Sequence, residues 1–271
     1  MTATLPRLVM DRPRPSAFAV FWSLFLRDLS VTRREIISYL LRTTIQPLLF
    51  VVVFGHLLGK MGFMAEAYKA TLLPGILAVS LALSSLQSVI LPMVADFGWT
   101  REIDDRLLAP AGMEVVVLEK VVAAVLQGII ATLFVLPMAR LIMGPIPGLT
   151  LAHVGATVLV TILGASAFST LGLVLGTVVI PQQIGLMFSL ILTPMIFFGC
   201  AYYPWRGLDV VPALKYGVLV NPLVYVAEGM RAVFTPARPH MPLAVVCVAL
   251  GAMTVVFWWL GLKNFNKRAY S

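Results

Sequence analysis

From Leu141 to Trp205 the sequence contains no Asp, Glu, Lys or Arg residue. A soluble domain carries about 25% charged residues to cover its surface, whereas charged residues are 12% of this chain and hydrophobic residues 60%. Such a composition is stable in lipid, where the backbone must satisfy its hydrogen bonds internally and therefore forms helices. The sequence predicts an all-α integral membrane protein, organised as one domain over residues 1–271, and argues against a soluble enzyme.

Six apolar stretches are each long enough to cross about 30 Å of hydrocarbon as a helix, which takes about 20 residues. The first contains Arg42, Gln46 and Pro47, and Arg42 lies close enough to its start for the side chain to reach the headgroups. The tetrad from Ile180 to Gln183 is predicted to be a tight turn between the fourth and fifth spans. The six predicted spans are 36–58, 70–95, 115–139, 151–180, 184–203 and 243–262.

The distribution of Lys and Arg residues predicts the orientation in the membrane. Most of the 20 cations lie before residue 43, in the loop after the second span, or after residue 262. These positions share one side of a six-span protein, and cytoplasmic loops carry the excess of Lys and Arg. Both termini are therefore predicted to be cytoplasmic, in the inner (plasma) membrane. The net charge of +8 then belongs to the membrane face, and no nucleic-acid partner is predicted.

Residues 17–32 have the pattern of an amphipathic helix lying in the membrane interface. Ser16 can cap it, and the aromatic side chains share one helical face. A secretory signal peptide is the alternative, because arginines precede the apolar stretch. No small-residue cleavage motif follows, however, and the charges of Arg27 and Asp28 disfavour it. The residues of the apolar face are Phe18, Phe21, Trp22, Phe25 and Leu29.

The loop after the second span is predicted to contain a short cytoplasmic helix. Thr100 can cap it, Glu102 lies where the positive end of the helix dipole favours an acid, and Pro110 with Gly112 ends it. Glu102 and Arg106 are four residues apart, which suits an ion pair. Such a helix can dock in a groove of a partner protein. A solvated loop that only reverses the chain fits the periodicity equally well.

The segment 201–242 is long for a connection and is therefore expected to be structured or functional. It begins with an aromatic edge at Tyr202 to Trp205. Asn221 and Pro222 form an N-cap followed by proline at the first helical position, and Glu228 with Arg231 is an ion pair three residues apart. Two short helices folded against or partly into the outer leaflet are predicted. An ordinary interfacial aromatic belt is the alternative for the aromatic edge.

The sequence lacks the motifs of several other functions. No Gly-x-x-x-x-Gly-Lys-Ser/Thr phosphate-binding loop is present, since the nearest string, Gly55 to Met61, has the wrong spacing and no hydroxyl for magnesium. His56, His153 and His240 are isolated, and there is no cysteine cluster, so no metal site is predicted. We therefore expect no enzymatic activity in this chain.

The order of these parts resembles that of the transmembrane subunits of ABC exporters of the second permease type, which include drug, polysaccharide, teichoic-acid and lipo-oligosaccharide exporters. The resemblance covers nearly the whole chain, and the order and spacing of its motifs are more specific than any one motif. They are the amino-terminal helix, Gln46-Pro47-Leu48, the charged helix after the second span, the stretch from Pro194 to Pro204, and Asn221-Pro222-Leu223-Val224-Tyr225 followed by Glu228-Gly229-Met230-Arg231.

The resemblance implies a permease that moves an amphipathic drug, lipid or glycan out of the cytoplasm. It also implies a second permease subunit, expected to be an identical copy, and two separate ATPase subunits, which would hold ATP and magnesium; this chain would need no cofactor. The coupling residues implied are Thr100, Arg101, Glu102, Asp104, Asp105 and Arg106. Those of an outer gate or re-entrant region are Tyr202, Tyr203, Pro204, Trp205, Asn221, Pro222, Glu228 and Arg231. The pathway candidates are Gln46, Phe197 and Phe198.

Two other classes of protein fit the same composition. A secondary transporter or channel would need no nucleotide and would keep working when ATP is depleted. A membrane-embedded structural or assembly factor would copurify with partners and transport nothing. A neighbouring reading frame with a phosphate-binding loop would favour the exporter over both.

Replacing Glu102 and Arg106 together with Ala tests the coupling helix. We expect transport-linked ATPase activity of the partner subunits to fall several-fold, because the charged face that would contact them is removed. Membrane insertion, followed by fractionation, should stay normal. Unchanged coupling in reconstituted vesicles would contradict the assignment.

Overall fold

A computed structural model describes residues 16–63, 65–98, 113–146 and 148–269. Every regular element within these residues is helical, in agreement with the predicted all-α class. A 3₁₀ turn, Trp205–Val210, precedes the seventh helix. The helices are α1 (Ala17–Arg34), α2 (Ile36–Lys60), α3 (Glu66–Gly98), α4 (Met113–Met143), α5 (Val154–Val178), α6 (Pro181–Phe197), α7 (Pro212–Val220), α8 (Pro222–Phe234) and α9 (Leu243–Ala269).

Within the described ranges, α2, α3, α4, α5 and α9 are the helices long and apolar enough to cross a bilayer, and the α7–α8 pair, bent by 98°, adds a sixth if it counts as one span. The predicted spans agree with the helices to within about four residues, except that α9 continues to Ala269 beyond the predicted end at 262 and the fifth span was predicted too long. There α6 ends at Phe197 instead of continuing to residue 203. The chain turns at Cys200, whose φ of 52° is incompatible with a right-handed helix.

Contacts between helix termini define two ends of the molecule. At the terminal end, where α9 finishes, Gly98 of α3 packs on the ring of Pro181 of α6, and Arg268 of α9 hydrogen-bonds to carbonyls that finish α5. At the opposite end, the Tyr68 hydroxyl of α3 donates to the carbonyl of Tyr202, which follows α6. The α6 segment therefore runs from one end of the molecule to the other.

The core is built around α3. Of its most apolar 18 residues, 78% are buried, against 28% in α2 and 11% in α9. Helix α5 approaches it closely through Gly172 and Gly176. A Cβ on Gly172 would lie 2.8 Å from the Leu86 carbonyl oxygen, and one on Gly176 would lie 3.0 Å from the Cβ of Met93. The Gly-x-x-x-Gly pair thus packs two helices of the same chain together.

Helix α1 is anchored to α4 by polar contacts. The Ser16 hydroxyl accepts a hydrogen bond from the N–H of Ala19 at 3.2 Å, which confirms the predicted N-cap. Lys120 of α4 forms an ion pair with Asp28 at 2.9 Å. The apolar face of α1 remains open, with Phe18, Trp22 and Leu26 exposed.

Two of the helices are irregular along their length. Residues Val51–Leu57 of α2 and Phe188–Leu192 of α6 are π-helical. Wide turns of this kind interrupt the ordinary ladder of hydrogen bonds and are frequent at functional sites. Pro47 removes a further donor from α2 one turn earlier. α2 and α6 therefore differ from the regular helices that surround α3.

The close approach of α3 and α5 can be tested with Gly172→Val. We expect a loss of about 1 to 3 kcal/mol of stability, because the added side chain must displace the α3 backbone. The measurement is the melting temperature of the detergent-solubilised protein. Gly251→Val in α9 is the control, since no atom lies within 4 Å of a Cβ built there. Equal melting temperatures for the two variants would contradict the packing.

Candidate functional site

A buried ion pair lies on α8 at the opposite end. The side chains of Glu228 and Arg231 are both 0% exposed, and Arg231 Nη1 donates to Glu228 Oε1 at 2.9 Å. Residues three apart on a helix are neighbours on one face, so the predicted pair is confirmed. A buried pair is favourable only when hydrogen bonds satisfy its remaining polar atoms.

Backbone groups from three other parts of the chain satisfy this pair. Glu228 accepts hydrogen bonds from the N–H groups of Trp205 and Met241, each at 2.9 Å. The pair therefore ties α8 to α3, to the turn after α6 and to the residues just before α9. The carbonyls that accept from the Arg231 guanidinium are those of Cys200 at 2.6 Å, Ala201 at 3.0 Å and Thr71 at 3.4 Å.

A glycine of α3 makes room for this arrangement. A Cβ on Gly75 would overlap the carbonyl oxygen of Ala201. The turn at residues 200–201 can therefore lie directly against α3, where its carbonyls meet Arg231. Any larger residue at position 75 would separate the two segments.

Other predicted residues of the outer region also make specific contacts. The Asn221 side chain accepts from the N–H two residues on, at 2.9 Å, and donates to the Met195 carbonyl at 2.7 Å. The predicted N-cap is confirmed, with Pro222 at the first position of α8. The Trp205 indole N–H donates to the Lys215 carbonyl at 3.0 Å. Asn221 and Trp205 thus connect α6, α7 and α8.

Tyr202 packs among aromatic rings of α2 and α6. Its ring centroid lies 4.8 Å from that of Phe50, 6.0 Å from Phe54 and 6.3 Å from Phe197. The Tyr203 hydroxyl donates to the Phe197 carbonyl at 2.9 Å. Tyr202 therefore contacts protein rings, which an interfacial belt does not require.

The three pathway candidates lie in different surroundings. Phe197 belongs to the cluster around Tyr202. Gln46 lies one helical turn from Phe50 on α2 and is exposed. Phe198 is 47% exposed and lines a separate groove with Asn221.

A cavity of about 630 Å³ lies between α1, α2, α3 and α4 at the terminal end. Its lining mixes apolar and polar side chains, and the apolar ones include Leu91, Pro92 and Ala123. Polar and charged groups are costly inside a membrane and generally mark a functional site. The uncharged polar residues of this lining are Thr32, Tyr39, Gln87, Ser88 and Gln127, and the charged ones are Arg27, Asp28, Glu35, Arg42, Asp96 and Lys120.

The Tyr39 hydroxyl is the most informative group of this cavity. Tyr39 is 6% exposed, and its hydroxyl lies near those of Ser84 and Ser88, yet no hydrogen bond of normal geometry joins them within the described part of the chain. An unsatisfied buried hydroxyl costs about 1 to 3 kcal/mol, so water or a polar ligand generally satisfies such groups.

Sequence reasoning missed these polar lining residues. The available signal was the spacing of Ser80, Ser84 and Ser88, which recur every fourth residue and so share one face of an otherwise apolar helix. The predicted coupling residues lie outside the described residues. Gly98 ends α3 and Met113 begins α4, so these two residues flank that segment, and both helices lie beside the cavity. The coupling residues in question are Thr100, Arg101, Glu102, Asp104, Asp105 and Arg106.

These features define a multi-pass helical membrane protein with a hydrogen-bonded charge pair at one end and a polar cavity at the other. A family model described as "ABC-2 type transporter" matches residues 19–235, which is most of the chain. The chain belongs to this family and is therefore the membrane permease subunit of an ABC transporter, a class that associates with ABC ATPase subunits. No curated protein matches the chain.

Glu228→Ala tests the buried pair. We expect a loss of about 3 to 5 kcal/mol, because Arg231 is left as an uncompensated buried charge. Asp209→Ala is the control, since it breaks the more exposed ion pair with Lys215, for which at most about 1 kcal/mol is expected. The measurement is the melting temperature and the yield of folded protein in detergent. Similar losses in both variants would contradict a special role for the pair.

Proposed function

We propose that this chain is the permease of an ATP-driven exporter that accepts an amphipathic substrate from the cytoplasmic leaflet and releases it outside. The observation that best supports this proposal is the difference between the two ends of the molecule. The terminal end has a cavity lined by both polar and apolar side chains, which suits a molecule with a polar head and an apolar body. At the opposite end, the buried pair joins four parts of the chain.

The proposed orientation of the protein in the membrane rests on the distribution of Lys and Arg residues. Both termini are cytoplasmic, so the terminal end and its cavity face the cytoplasm. Residues 99–112 join α3 to α4 at this same end, because both flanking helices border the cavity. The ATPase partners bind there, through the residues from Thr100 to Arg106. ATP and magnesium belong to those partners.

A second permease subunit is proposed to cover α2. Gln46 is exposed near the middle of this spanning helix and has no hydrogen bond among the described residues. An amide facing hydrocarbon is unfavourable, whereas a facing helix or a hydrated pathway would satisfy it. The exposed apolar residues Ile37, Leu41, Ile45 and Leu49 follow the same helix and extend the contact surface. We propose that the second subunit is an identical copy.

The bent pair of α7 and α8 is proposed to be the outer, re-entrant part of the permease. The 98° bend between them turns the chain by about a right angle, and Asn221 holds the bend to α6. Deeper in the protein, a Cβ on Gly164 of α5 would lie 3.1 Å from Val226 of α8. Because Gly164 lies ten residues into α5, α8 reaches about 15 Å along that helix. A gate in this position could open by a small shift of α6 and α7.

A secondary transporter or channel is the alternative, and it differs in its energy source. The charged groups that line the cavity are balanced, with three cations and three carboxylates, and the family to which the chain belongs associates with ATPases. The balanced charge favours an uncharged or zwitterionic head, and the family membership favours ATP as the energy source. Transport that persists after ATP depletion would reverse this preference.

Inside-out vesicles that contain the permease and its ATPase partner test the proposal. The probes are fluorescent amphiphiles with one acyl chain and a neutral, cationic or anionic head. We expect ATP-dependent uptake of the neutral probe, reduced about fivefold by Tyr39→Phe, because one hydrogen bond contributes about 1 kcal/mol. The melting temperature should not fall by more than about 1 kcal/mol of stability would cause, since the lost hydroxyl makes no hydrogen bond of normal geometry with the described residues.

Tyr216→Phe is the matched control for this experiment. Tyr216 is 66% exposed and belongs to α7 at the other end of the chain, so uptake should be unaffected. Wild-type uptake by Tyr39→Phe would contradict the cavity as the site of intake. Uptake without ATP would contradict the exporter itself.

A further inference from the structure

Arg268, in the last turn of α9, reaches across the terminal end to α5. Its Nη1 donates to the carbonyls of Gly176, Thr177 and Val179 at 3.3, 3.0 and 3.1 Å. The final carbonyls of a helix receive no hydrogen bond from the helix itself, and they form the negative end of its dipole. A guanidinium group supplies both hydrogen-bond donors and a positive charge, so Arg268 of α9 caps the end of α5.

The same turn of α9 also holds the end of α3. The Arg268 guanidinium carbon lies 4.6 Å from the ring centroid of Phe97, within the range of a cation–π contact. On α9, the Phe265 ring meets Phe97 edge to face, with centroids 5.4 Å apart. Phe265 is 1% exposed. Phe97 is therefore held by two side chains of α9.

A third contact adds α6 to this group. A Cβ on Gly98 would overlap the ring of Pro181, the first residue of α6. The last residue of α3 thus touches the first residue of α6 directly. Arg268 also holds the end of α5. The termini of α3, α5, α6 and α9 therefore meet in space at the end of α3.

We infer that Arg268 and Phe265 form a clamp that makes the ends of α3, α5, α6 and α9 move together when residues 99–112 are displaced. The inference rests on the proposed function in one respect, namely that the ATPase partner acts on residues 99–112. Arg268 touches Phe97 and the α5 carbonyls, and in this inference it acts as a positioning residue for coupling.

A simple helix cap and a clamp have different consequences. If Arg268 only capped α5, its loss would loosen residues 176–183 and leave α3 unchanged. If it clamps the four termini, its loss loosens the end of α3 as well, because Phe97 loses the guanidinium that covers its ring. Amide hydrogen exchange separates the two, since it reports local opening segment by segment.

The first experiment compares hydrogen exchange in the purified permease in nanodiscs, without ATPase. The variants are Arg268→Gln, which removes the charge, and Arg268→Lys, which keeps the charge but loses the planar fork. We expect exchange to accelerate about tenfold in peptides covering 94–98 and 176–183 for Gln, and less for Lys. Lys267→Gln, at the exposed neighbouring residue, is the matched control and should match wild type.

The second experiment reconstitutes the same variants with the ATPase partner. We expect the probe transported per ATP hydrolysed to fall several-fold in Arg268→Gln, with unchanged ATPase binding. Acceleration confined to 176–183, or wild-type coupling in Arg268→Gln, would overturn the clamp. If the wild-type permease neither binds the ATPase nor needs ATP, the proposed function fails. The exchange data still decide in that case whether the four termini form one unit.

Discussion

The buried pair of Glu228 and Arg231 is the interaction on which one end of this permease depends. Charges are expensive inside a membrane protein, so a pair without solvent exposure is retained only when hydrogen bonds satisfy it. Here the partners are backbone groups of α3, of the turn at 200–205 and of Met241. Because moving any of them would leave a buried charge unsatisfied, these segments are held in one arrangement.

The terminal end is organised by different forces. Its helix ends meet through a guanidinium, aromatic edges and the close contact of Gly98 with the Pro181 ring, whereas the cavity beside them is lined by polar side chains that include Tyr39. Between the two ends, α3 packs tightly with α5 through glycines. Helices α2 and α6 contain π turns and lie at the periphery of this core.

Local rules explain which features were predictable. The caps at Ser16 and Asn221 and the three-apart ion pair on α8 were confirmed, because each depends on residues within one turn. The fifth span was predicted too long, since hydropathy does not register the positive φ at Cys200 that turns the chain. The position of Tyr39 beside Ser84 and Ser88 was missed, as were the contacts of Arg268, because both join residues far apart in the chain.

The sequence by itself determined that this chain lies in a membrane, roughly where most of its spans begin and end, and which family it resembles. Those properties follow from hydropathy, charge and short motifs, which act locally. Only the tertiary structure decided which backbone groups satisfy Arg231, which helices enclose the polar cavity, and that the glycines of α5 pack on α3 rather than on another subunit. These depend on the relative positions of whole helices, which short-range patterns do not encode.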